Sequence, residues 1–269
     1  MQLPAKTENV YNACMSNRVE YEQPLSERVR TFLRLEHLFC QTDYTLRGFS
    51  VWDSRSTLLS LIDTLEILNR SDFKSELLKE LDRQSSKLAA LQNAPGVDNQ
   101  QLSHVLDELN KSEQALHQLT GQIGQSIRDH ELITNLRQRA SIPGGDCPID
   151  LPTLHLWLQQ APEQRIEQLE TWNSALSIAR KPIALLLGMI REASHPEPMQ
   201  AEEGFYQQSL DSSTPIQLIR VSTDTALPYF AEISVGKHRL TIRFLEPQEG
   251  RRPLQAQETV EFDLTCCTL

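Results

Sequence analysis

The chain has 269 residues, 39% of them hydrophobic, which is enough to bury a core in one large domain or two smaller ones. Its formal net charge of −10 removes the basic footprint that supplies most non-specific nucleic-acid affinity and that anionic membrane surfaces attract. Any anion-seeking site must therefore be a local basic patch on an acidic body.

The greasiest run, Ile183 to Ile190, contains Gly188 and is flanked by Lys181 and Arg191, well short of a membrane span. Met1 to Asn9 carries Lys6 and Glu8 and lacks the apolar core of a secretion signal, so a cytoplasmic protein is expected. Cys14, Cys40, Cys147, Cys266 and Cys267 show none of the paired spacings of zinc or thiol-exchange sites, and reduced thiols are expected. The vicinal Cys266 and Cys267 read as small residues at a strand end.

Residues 1–18 are polar and aperiodic, a mobile N-terminal extension by expectation. Val19-Glu20-Tyr21-Glu22 alternates like a short half-buried strand ended by Pro24. From Ser26 the apolar residues Val29, Phe32, Leu33 and Phe39 fall at helical spacing. Leu58, Leu61, Ile62, Leu65 and Leu68 predict a second helix, with Ser54 or Ser56 as N-cap. Asp72 to Gln92 and the segment holding Leu102, Val105, Leu106, Leu109, Leu116 and Leu119 predict an αα-hairpin around Asn93-Ala94-Pro95-Gly96. Its narrow seam either packs inside one domain or forms a short free coiled coil. Helix continues over Ile123 to Arg139, Leu151 to Leu158 and Glu163 to about Ala193, with Pro182 forcing a kink or a boundary.

Pro196 and Pro198 mark a linker, after which the period changes from helical to alternating. Phe205 to Ser209, Ile216 to Val221, Tyr229 to Val235, Arg239 to Leu245 and Val260 to Cys266 read as strands. The fold class is therefore α+β: an N-terminal mainly helical domain, 19–195, followed by a C-terminal antiparallel β domain, 196–269. The early strand at Val19 is expected to join the sheet and tie the chain ends together.

Cys147, Asp150 and His155 are the residue types of a cysteine nucleophile, an orienting acid and a base, which keeps a cytosolic hydrolase as one reading. No spacing places them in contact, and on a very apolar segment a packed, hydrogen-bonded histidine is the commoner outcome for His155. There is no phosphate-binding loop, and His37, His104, His117, His130, His195 and His238 form no zinc-type pair, so neither cofactor nor metal is expected. The most informative pattern is Lys237-His238-Arg239-Leu240-Thr241-Ile242-Arg243-Phe244. In a strand, Leu240, Ile242 and Phe244 share the core face while Arg239 and Arg243 stand on the other, extended by Lys237. Such a stripe is either a charged outer face or a docking strip for a carboxylate-bearing peptide. Arg70 and the Arg137-Gln138-Arg139 run sit near helix ends, where dipole compensation accounts for them equally well.

Several segments resemble the ZapD family of FtsZ-ring-associated proteins. They include Glu22-Gln23-Pro24-Leu25 with Arg30 to Glu36, Glu76 to Gln84, Arg137 to Gly145, and Asp150 to Leu158. Glu170-Thr171-Trp172, Gly204-Phe205-Tyr206-Gln207, Ile242-Arg243-Phe244 and the Cys266-Cys267 ending complete the set, in family order from about Tyr21 onward. The resemblance implies a non-enzymatic homodimer at the division site that binds the C-terminal tail of FtsZ and bundles its filaments, with no nucleic acid or membrane as partner. It also implies a tail-binding or bundling role for Arg239, Arg243, Lys237, Arg70, Arg34 and His155. The chain departs from the family pattern in about a dozen extra N-terminal residues and in Glu131, where a relative carries arginine.

Overall fold

The structure is a computed structural model and describes residues 17–70, 72–92, 97–211 and 215–268. Helices occupy the N-terminal part and antiparallel strands the C-terminal part, an α+β arrangement. Two compact units are formed: Thr31–Leu186, and the described residues up to Arg30 together with those from Leu187 onward. The first sixteen positions of the N-terminal extension lie outside the described residues, and Arg18 already belongs to the first strand.

The helical unit contains most of α1 (Glu27–Leu46), then α2 (Val51–Leu68), α3 (Phe73–Ala89), α4 (Asn99–Gln118), α5 (Gln125–Arg128), α6 (Glu131–Arg139), α7 (Pro152–Leu158), α8 (Pro162–Ala175) and the start of α9 (Ser177–Glu192). Its centre is α2. Leu58, Leu61 and Leu65 are fully buried, and so are the small polar residues Ser54, Thr57, Ser60 and Thr64. Those hydroxyls cost little because they bond back along the helix, Thr64 Oγ1 donating to the Ser60 carbonyl at 2.7 Å and Thr57 Oγ1 to that of Asp53 at 2.9 Å. Small side chains on one face let neighbouring helices approach closely. The N-cap is Ser50 rather than Ser54 or Ser56, in a capping box with Asp53.

Helices α3 and α4 pair as a hairpin through Leu77, Leu81, Leu109 and Leu116. The helix expected over Ile123 to Arg139 is broken into α5 and α6. The break falls at Asp129 and His130, while at the N-cap of α5 Gly124 takes φ +72° and a Cβ there would come within 2.5 Å of the Leu65 side chain, so only glycine fits that turn. Between α8 and α9 the break falls at Leu176, while Pro182 is accommodated inside α9. Around α7 and α8 the Trp157 and Trp172 rings stack at 6.3 Å, with His130 edge-on to Trp172 at 5.0 Å.

The second unit holds two antiparallel sheets. One has the order β1-β4-β8-β2, with β1 (Arg18–Pro24), β4 (Ile216–Asp224), β8 (Val260–Thr268) and β2 (Glu197–Ala201). The other has the order β3-β6-β5, with β3 (Phe205–Ser209), β6 (Arg239–Glu246) and β5 (Phe230–Val235), and β7 (Leu254–Gln255) also pairs with β6. Pro196 lies in the short connection between α9 and β2, but Pro198 lies inside β2, opposite Asp263, at the sheet edge where a missing N–H leaves no ladder bond unmade. The common core contains Ile219, Val221, Leu240, Ile242, Val260 and Leu264. Phe262 meets Phe244 at 5.2 Å and Tyr206 at 5.3 Å. On the far side of the β1 sheet, Glu22 binds Arg191 and Arg220 at 2.8 and 3.0 Å, fastening the end of α9 to β1 and β4.

Candidate functional site

The outward face of the β3-β6-β5 sheet is built by strict alternation. Leu240, Ile242 and Phe244 are fully buried, whereas Arg239 and Arg243 are exposed with Thr241 half-buried between them. Antiparallel register sets their neighbours. Arg243 stands between Phe205 on β3 and Glu232 on β5; Thr241 stands between Gln207 and Ser234; Arg239 stands beside Ser209. Lys237 is exposed at the tip of the β5–β6 hairpin, which the Gly236 N–H closes on the Arg239 carbonyl at 2.8 Å.

This row is a fork-shaped donor array. Arg239 and Lys237 have no side-chain partner among the described residues, so their donors are available to a carboxylate. Arg243 is offset by one acid, with Nη1 3.9 Å from a Glu232 carboxylate oxygen and both side chains more than half exposed. At that distance and exposure the pair is weak and can open toward another anion. Glu232 and the 38%-exposed Phe205 beside Arg243 were not legible as members of the strip. The hairpin turn at Val235-Gly236-Lys237 is the signal that brings Glu232 opposite Arg243, once the ladder register is counted back from it.

The remaining basic residues lie in the helical unit. Arg34 is exposed on α1, Arg70 follows α2 with Nη2 3.7 Å from Asp72, and His155 is exposed on α7. His155 is therefore not the packed, hydrogen-bonded histidine its apolar surroundings admitted. They belong to three separate segments of the helical unit, α1, the turn after α2, and α7. Arg137 and Arg139 are engaged locally, with Glu66 at 2.6 Å and Asp150 at 3.0 Å.

Cys147 Sγ lies 3.4 Å from Asp150 Oδ2, and Asp150 is shared with Arg139. The His155 side chain makes no hydrogen bond among the described residues, so the acid faces the thiol instead of orienting an imidazole toward it. No group of three or more metal-ligating side chains occurs among the described residues, and no helix is long and apolar enough to cross a membrane. A shallow cavity of about 500 Å³ lies along the α3–α4 hairpin, lined by Ser85, Ala89, Leu106 and Asn110 among others.

The family described as "ZapD: Cell division protein" matches residues 33–243. A Methylococcus capsulatus protein named cell division protein ZapD is 41% identical over 255 residues, covering 95% of this chain and all of that protein. Proteins of the same name from Coxiella burnetii and Dechloromonas aromatica are each 36% identical, covering 95% and 93% of this chain and the whole of each relative.

Proposed function

The chain belongs to the ZapD family of cell division proteins, and on that premise we propose that it binds the C-terminal tail of FtsZ and, as a dimer, crosslinks FtsZ filaments into the bundles that support Z-ring assembly. The observation that carries this reading is the β5–β6 hairpin, which gathers Lys237, Arg239 and Arg243 on one sheet face of a body with net charge −10. On such a body, a local row of guanidinium forks is the feature that would hold the carboxylates of an acidic tail. Phe205 gives the same strip an apolar contact, and Arg34, Arg70 and His155 add basic contacts to the bundled filaments.

The protein works by binding rather than by catalysis, in the cytoplasm at the division site. Each subunit holds one tail, and the many tails along a polymer raise the effective concentration for the second engagement. Weak single contacts then give firm bundles. Sedimentation of assembled FtsZ, with and without its tail, tests this. Addition of the protein should move full-length filaments into the low-speed pellet and leave tail-less filaments in the supernatant. Equal bundling of both would refute tail recognition.

A further inference from the structure

Beside the β5–β6 hairpin the second unit contains a cleft of about 460 Å³, walled by Leu25, Leu210, Ile216 and Val235. All four are half-buried and pack on the common core of the two sheets, so the cleft opens onto an apolar floor. An apolar cavity of roughly 150 Å³ accepts a benzene ring. This one therefore has room for a leucine- or phenylalanine-sized side chain.

Backbone hydrogen bonds fix the walls. The Leu25 N–H donates to the Gln217 carbonyl at 2.9 Å, the Leu210 N–H to that of His238 at 2.9 Å, and the Gly236 N–H to that of Arg239 at 2.8 Å. A cleft held in this way is preformed, and little conformational entropy is lost when it is filled.

The charges around it are mostly of one sign. Lys237 and Arg30 line the cleft against a single acid, Asp211. The Arg30 guanidinium also meets Glu27 at 3.1 Å, a solvent-exposed pair that contributes little. Lys237 belongs both to the cleft and to the basic strip, which makes the two continuous. Along that strip Arg239 and Arg243 are four residues apart, or about 13 Å at the rise of a strand.

We propose that this cleft is an apolar subsite for the peptide that the strip holds, so that the ligand is an acidic peptide with a leucine- or phenylalanine-sized side chain beside its carboxylates. The inference rests on the tail-binding reading and adds to it a determinant of specificity. A row of cations alone accepts any extended polyanion and is screened by salt. Burial of one apolar side chain adds a contribution that rejects purely acidic peptides and survives that screening. A basic peptide is excluded from the same cleft by Lys237 and Arg30.

Gly236 borders the cleft, and a Cβ there would meet only the Arg239 carbonyl oxygen at 3.7 Å, an ordinary contact. Gly236→Leu therefore narrows the cleft without straining the hairpin. Fluorescence anisotropy on the full chain would compare two probes: the FtsZ tail peptide, and the same peptide with each aliphatic and aromatic residue replaced by serine, its charge unchanged. The wild type should bind the serine peptide about ten- to a hundredfold more weakly, the cost of leaving one large apolar side chain in water. In 0.5 M salt on the order of three Debye-screened contacts are weakened together, yet the tail peptide should keep this advantage over the serine peptide. Gly236→Leu, with unchanged far-ultraviolet circular dichroism, should bind the tail peptide about as weakly as the wild type binds the serine peptide. Equal wild-type affinity for the two peptides overturns the inference and leaves the tail-binding reading standing. A folded Gly236→Leu variant that discriminates between them as the wild type does also overturns it, because the apolar contact would then lie elsewhere. Binding of neither peptide by the wild type removes both the subsite and the reading beneath it.

Discussion

Arg243 and Glu232 face each other across the β5–β6 ladder, 3.9 Å from guanidinium to carboxylate, at one end of the exposed basic strip. On the proposed reading the acid is the strip's internal competitor, because it pairs weakly with the guanidinium that an incoming tail carboxylate would use. Glu232→Gln should therefore tighten tail-peptide binding by about two- to fivefold, the range expected for one exposed ion pair. Isothermal titration of the peptide would detect this, and weaker binding would mean that Glu232 orients Arg243 rather than competing for it.

Arg165 is 3% exposed and satisfies three backbone carbonyls as well as Ser54. Replacing it with Met keeps the stem volume but leaves those carbonyls without their charged donor. The expected loss is about 3 kcal/mol or more, seen as a lower urea midpoint with an unchanged slope. A loss below about 0.5 kcal/mol would mean that water replaces the guanidinium at little cost.

The Arg55 guanidinium beside Asp146 holds its carboxyl below the ordinary value of 3.8. A depressed folded pKa gives stability that is fully present above the unfolded value and is lost as pH falls through the folded one. Asp146→Asn should cost about 1–2 kcal/mol at neutral pH, because Asp146 is largely buried while Arg55 is partly exposed. That difference should shrink progressively below pH 3.8. Urea titrations at a series of acidic pH values give the comparison.

Cys267 is fully buried on β8, and burial pushes its thiol up to about 11 from an ordinary 9.0. Here the folded state holds the proton more tightly, so the contribution is present below pH 9.0 and is lost as pH rises toward about 11. Cys267→Ala should show a shallower alkaline loss of stability than the wild type, by at most about 3 kcal/mol. Native Cys267 should also resist alkylation at pH 8, when Cys147 and Cys40, both partly exposed, react.

The residues legible from sequence were those whose environment follows from local period. Alternation in Arg239 to Phe244 separated core from surface because β6 is paired on both sides and packs one face on the other sheet. Strand β2 was hidden by Pro198, since a sheet edge accepts a proline that an interior strand would reject. The cap at Ser50 was hidden because Val51 and Trp52, which follow it, are apolar yet face solvent. Glu232 required a cross-strand register that no single strand contains. The gathering of Arg165 with the Phe49 loop joins residues more than a hundred positions apart, beyond any local pattern.

The most direct measurement is tail-peptide binding by the Arg239→Glu/Arg243→Glu variant, alongside its circular dichroism and its mass in solution. Both side chains are exposed and turned away from Leu240, Ile242 and Phe244, so fold and dimer should persist. Neutralising one such contact should cost about 0.5–2 kcal/mol. Reversing both replaces attraction with repulsion and should abolish measurable binding, and wild-type bundling should itself weaken with added salt. A folded, dimeric double variant that binds the tail at full strength would contradict the account and move the search to the α3–α4 groove.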